Sequence, residues 1–118
     1  MEINCMEQNR FLIVDIAGEI DHHTAEEIRT KVDKAFARMG AKHIIFNMSR
    51  VGFMDSSGIG VLIGRYRMIE SMGGKVLAAG IGEGLQRIFD ISGLPKIIGC
   101  HADVNAAMAS IGGSERHA

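Results

Sequence analysis

Apolar and polar residues alternate over positions 3–7 and 11–16, with the turn-prone Gln8-Asn9-Arg10 between them, a pattern that predicts an N-terminal β-hairpin. Beyond Gly18 the period changes. Ile28, Val32, Ala35, Phe36 and Met39 recur at helical spacing, and Thr24 with Glu27 has the spacing of a capping box, so a first helix is predicted to end near Gly40. His43-Ile44-Ile45-Phe46-Asn47-Met48 is largely apolar, as expected of a strand covered on both faces, and is the candidate central strand.

After Ser57 the helical stripe returns with Ile59, Leu62, Ile63, Tyr66, Ile69 and Met72, while Arg65, Arg67 and Glu70 fall mainly outside it. Gly73-Gly74 should end this helix. Residues 75–79 read as a strand, and Leu85, Ile88, Phe89 and Ile91 as a third helix stopped by Gly93, Leu94 and Pro95. A short strand over 96–99 and a last helix over 104–111 complete the order, and 112–118 reads as a mobile polar tail. Strands alternating with helices predict one α/β domain over residues 1–111, with a small mixed sheet, an N-terminal hairpin and about four helices.

Composition narrows the function classes. The chain has 118 residues, 47% of them hydrophobic, which suits one domain around one core. Its 13 basic and 14 acidic side chains leave a formal net charge of -1, so no phosphate-backbone stripe or basic membrane face is expected. No apolar run is long enough to span a bilayer, and Met1-Glu2-Ile3-Asn4 lacks the start of a signal peptide, so a cytosolic location is expected. Cys5 and Cys100 are then most simply free thiols without a role.

Several motifs come close to known chemistry and miss on particular residues. Gly58, Gly60 and Gly64 fail the dinucleotide fingerprint at Ile63; Gly80 and Gly82 fail it at Leu85; Gly74-Lys75 lacks the remainder of a phosphate loop. His22 and His23 are adjacent and so point in different directions, a poor basis for a shared metal site, and no metal or cofactor is predicted. Met54 stands where a nucleophile elbow around Ser56 needs glycine.

The remaining segment is Phe53-Met54-Asp55-Ser56-Ser57-Gly58, where an apolar strand is predicted to turn into a helix. A phosphate there would meet free N–H groups and the positive end of the helix dipole. An ordinary helix N-cap also explains Asp55 and both serines and, on chemistry alone, is the favoured reading. Asp21 likewise reads as a cap for the first helix.

Resemblance alters that balance. Asp21-His22-His23-Thr24-Ala25-Glu26, the run from Phe53 through Tyr66, and Arg87-Ile88-Phe89-Asp90-Ile91-Ser92-Gly93-Leu94 resemble the anti-sigma factor antagonists of the STAS-domain family, and most of all its sporulation branch. The resemblance implies a protein whose unmodified form binds an anti-sigma factor serine kinase carrying nucleotide and releases sigma factor F. It implies that the kinase inactivates its antagonist by phosphorylation and that a serine phosphatase restores it. The acceptor in the family is the serine after the motif aspartate, which falls on Ser56, with Asp21, Asp55, Ser57 and Gly58 as further partner-binding positions. The chain itself would be no enzyme. A STAS module regulating an anion transporter or a stress-signalling assembly, and a small enzyme using Ser56, remain as the other readings.

Overall fold

The computed structural model describes the backbone of residues 1–115 and the side-chain surroundings through Ile111. The side chains of the expected mobile tail over 112–118 fall outside that description, as does the backbone of 116–118, while the backbone of 112–115 continues the last helix beyond its expected end at 111. Among the described residues five strands and four α-helices follow one another as β1 (Glu2–Gln8), β2 (Phe11–Ile20), α1 (His22–Met39), β3 (His43–Met54), α2 (Ser56–Ser71), β4 (Val76–Ala79), α3 (Glu83–Ser92), a 3-10 turn (Leu94–Lys96), β5 (Gly99–His101) and α4 (Val104–Glu115). The strands lie side by side in chain order. β1 is antiparallel to β2, and every later neighbour is parallel, so this is the α/β fold with a mixed sheet and N-terminal hairpin that the pattern predicts.

The hairpin turns on Asn9 and Arg10, both with positive φ (53° and 69°), the backbone of a type I′ turn. Arg10 is an uncommon residue there, and its N–H donates to the Glu7 carboxylate at 2.7 Å. Alternate residues of the strands then divide the core. Leu12, Val14, Ile16, Ile44, Phe46, Met48, Val76 and Ala78 face α1, α2 and α3, while Phe11, Ile13, Ile45, Leu77 and Ala79 face α4 through Ala107. Burial of β3 and β4 from both sides explains their unbroken apolar runs.

β3 is longer than the apolar run suggested. It continues to Met54 because the register against β2 slips twice, between Asp15 and Ala17 and between Gly18 and Glu19. Each slip places an extra residue in β3, and the bulges turn both Val51 and Met54 inward despite their three-residue spacing.

Other boundaries also move. The last strand is Gly99–His101 instead of 96–99, because Leu94 is buried and Pro95 sits in a 3-10 turn that occupies the preceding residues. Met72 and Ile91, placed on core stripes by spacing, are 57% and 82% exposed, since α2 ends at Ser71 and Ile91 lies in the last turn of α3. Arg65, placed off the stripe, is largely buried between helices, its Nε 3.1 Å from Asp33 Oδ1 of α1. That ion pair ties α1 to α2, although the N–H is not aimed for a hydrogen bond.

Candidate functional site

The site forms where β2 and β3 end together. Ile20 and Met54 are paired, and the Asp55 N–H donates to the Ile20 carbonyl at 3.0 Å, so Asp21 and Asp55 leave the sheet side by side. Each begins a helix. Two helix N-termini, with their positive dipole ends, thus open on one edge of the molecule.

Asp21 caps α1. Its Oδ1 accepts from the N–H groups of His23 (2.9 Å) and Thr24 (3.0 Å), and Thr24 Oγ1 accepts from the Asp21 N–H at 3.0 Å. The capping box is therefore Asp21 with Thr24, three residues upstream of the pair expected from Thr24 and Glu27, since the helix already begins at His22. These donors, the Thr24 N–H first among them, hold the Asp21 carboxyl below the usual carboxylate range. A carboxyl lowered on folding contributes stability above its unfolded pKa, and this is lost as pH falls through the lower folded value. Asp21→Asn, which still caps but does not titrate, should therefore flatten the acid limb of a melting-temperature profile, and its deficit against wild type should shrink below about pH 4.

Asp55 caps α2, accepting from the N–H of Ser57 at 2.8 Å and of Gly58 at 3.3 Å through Oδ1, while its carbonyl accepts from Ile59 N–H at 3.1 Å. The ordinary N-cap reading of Asp55 is thus correct. It also corrects the expectation of free donors for a phosphate, because the Ser57 and Gly58 N–H groups are already taken. The three motif residues after it differ in exposure. Ser56 is exposed, Ser57 is half-buried, and Gly58 is buried.

Gly58, expected on the contact face, instead lies under it, against Ile20 and Met54. A Cβ at this position would stand 2.3 Å from Met54 Cγ and 2.7 Å from Ile20 Cγ2. The role of Thr24 in the cap and this close approach were missed from sequence; the Asp-x-x-Thr spacing was a legible signal for the first, whereas nothing local signals the second. Phe53, just before the turn, is 45% exposed and adds an apolar side chain beside the serines.

The His22 and His23 rings lie edge-on with centroids 5.8 Å apart, both exposed. Among the described residues no group of three His, Cys, Asp or Glu could hold a metal ion, and no helix is long and apolar enough to cross a membrane. Cys5 and Cys100 are free thiols, each pushed up from its ordinary pKa mainly by burial.

Residues 2–107 match the model of the STAS domain. This chain belongs to the STAS-domain family. Within that family, it is 42% identical over 94 residues to an anti-sigma F factor antagonist of Paenibacillus polymyxa, covering 79% of this chain and 80% of the relative. It is 41% identical over 85 residues to the anti-sigma-B factor antagonist of Bacillus subtilis, covering 72% of this chain and 76% of that one. Among solved structures, the unphosphorylated form of the anti-sigma factor antagonist SpoIIAA superposes with a TM-score of 0.79 at 29% identity, over 94% of this chain and 97% of that one. These relatives place the STAS domain described here among the anti-sigma factor antagonists. SpoIIAA is also known in a phosphorylated form, which matches with a TM-score of 0.71 at 30% identity over 93% of this chain and 99% of that one.

Proposed function

We propose that this chain, unphosphorylated, binds an anti-sigma factor serine kinase carrying nucleotide, frees sigma factor F, and is switched off when the kinase phosphorylates Ser56. A serine phosphatase reverses the modification. The observation that carries this reading is the exposure of Ser56 at the first position of α2, beside a second helix N-terminus capped by Asp21. Support comes from the relatives named above, two of which antagonise anti-sigma factors F and B. The choice of F over B rests on the resemblance of the Asp21-His22-His23-Thr24 segment.

In the modification step the Ser56 Oγ forms a bond to the γ-phosphorus of ATP, the bond to ADP breaks, and the hydroxyl proton leaves to a base on the kinase. The chain contributes the acceptor and its presentation. A partner seated over Asp21, Ser56 and Ser57 would cover two helix ends whose acidic caps are engaged with their own N–H groups. Gly58 serves that surface from beneath, by allowing α2 to approach the sheet.

Incubation with the anti-sigma F kinase and ATP, followed by peptide mass spectrometry, should place phosphate on Ser56, and Ser56→Ala should abolish labelling while keeping its stability within about 0.5 kcal/mol. Exclusive labelling of Ser57 would refute the site. Capture by the anti-sigma-B kinase in preference to the F kinase would refute the choice of sigma factor while leaving the switch itself intact.

A further inference from the structure

The first strand carries a feature that the Ser56 switch does not use. Among the described residues β1 is an edge strand whose single sheet neighbour is β2, so along its seven residues the outer N–H and C=O groups face no other described strand. Such an edge is a template for another extended chain. α1 leaves the end of β2 at Asp21 and returns toward its start, where Lys42 N–H meets the Arg10 carbonyl, so α1 and β1 run in the same sense.

Along that path Lys31, Lys34 and Arg38 overhang the edge, and with Ile3, Cys5 and Ala35 they line a groove of about 250 Å³. All three cations are exposed. None is drawn into an ion pair or side-chain hydrogen bond among the described residues. The floor, by contrast, is apolar: Ile3 and Ala35 are buried in the main core and Cys5 packs against it.

We propose that this groove docks an acidic segment of a partner protein in extended form, pairing with β1 and directing alternate carboxylates to Lys31, Lys34 and Arg38. The spacings agree. Lys31 and Arg38 are separated by about 10 Å along a helix rising 1.5 Å per residue, and same-side residues of a strand recur about every 6.8 Å, so two carboxylates fall within the row and within reach of its long, flexible side chains. Backbone pairing supplies affinity and the cations select charge, the division of labour in strand addition. A second copy of this chain is a poorer occupant. Pairing β1 with β1 would set the partner copy's cation row against the first, and like charges facing each other oppose association.

The test titrates the full chain with a short synthetic peptide alternating glutamate and valine, followed by amide NMR. The largest shifts should fall on residues 2–8 and 31–38, and Lys34→Glu with Arg38→Glu should weaken binding about tenfold, as expected from two exposed ion pairs. The same peptide N-methylated at alternate residues, and its glutamine counterpart, should bind far more weakly. Absent or scattered shifts would overturn the proposal, as would equal binding of either control peptide or a β1-mediated dimer in sedimentation. Those outcomes would leave the cations as guards of an open edge. Ser56→Asp should bind the peptide as wild type does, which keeps this result independent of the phosphorylation reading.

Discussion

Replacing Ser56 with aspartate is expected to weaken binding to the anti-sigma kinase by on the order of 100-fold, because unfavourable charge placed in an interface costs several kcal/mol and each 1.4 kcal/mol is tenfold. The reason lies in the occupancy of the turn. Asp55 already accepts from the Ser57 and Gly58 N–H groups, so a new carboxylate at position 56 finds neither donor free. It points to solvent at an exposed position. There it adds to the charge of Asp55 on its own helix and of Asp21 on the next, both of which emerge from the paired ends of β2 and β3.

The same geometry predicts little change in the folded chain. Negative charge in the first turn of α2 is favoured by the dipole, by about 0.3–1 kcal/mol at an exposed site, and the hydroxyl being replaced has no packing role. The melting temperature of Ser56→Asp should therefore stay close to wild type while kinase capture, measured by surface-immobilised titration, falls steeply. Wild-type affinity in the aspartate variant would sink the repulsion mechanism. A large loss of stability would show that Ser56 is a structural residue, contrary to its exposure.

Much of this architecture was readable in advance because the signals were periodic. The apolar run of His43–Met48 marked a strand buried on both faces, and Gly40, Gly73 and Gly93 all adopt the left-handed backbone that ends helices, at φ of 66°, 85° and 79°. The misread parts depend on contacts distant in sequence. Nothing near Ser49 to Phe53 says that two bulges keep β3 paired with β2 as far as Met54. Arg65 looks like a solvent-facing charge until α1 brings Asp33 to it. The site divides the same way: Asp55 was visible as a cap and Ser56, through resemblance, as a candidate acceptor, but the exposure of Ser56 and the adjacency of Asp21 are products of the fold, the second of parallel strand pairing. Donor occupancy at the turn likewise required the positions of the Asp55 oxygens.

Gly58→Val is expected to destabilise the fold by about 3 kcal/mol, the upper part of the range for overpacking a filled core. The first added carbon alone would lie 2.3 Å from Met54 Cγ, 2.7 Å from Ile20 Cγ2 and 3.0 Å from Met54 Sδ, and Ile20 and Met54 are each 1% exposed. Neither neighbour has open space to swing into, so α2 must lift from the sheet and carry Ser56 and Ser57 with it. Kinase binding should fall along with stability. Gly60→Val supplies the control, since nothing stands within 4 Å of a Cβ there and glycine is itself a poor helix former, so urea denaturation should show that variant at or slightly above wild-type stability. The clash can also be assigned to its partner. Met54→Ala opens the space that Gly58→Ala fills, so the double variant should be more stable than the sum of the two single losses, a coupling expected of residues in contact. Simple additivity would show that Met54 is not the neighbour that excludes a side chain at position 58, and the clash would then rest on Ile20, whose Cγ2 stands 2.7 Å from the added carbon.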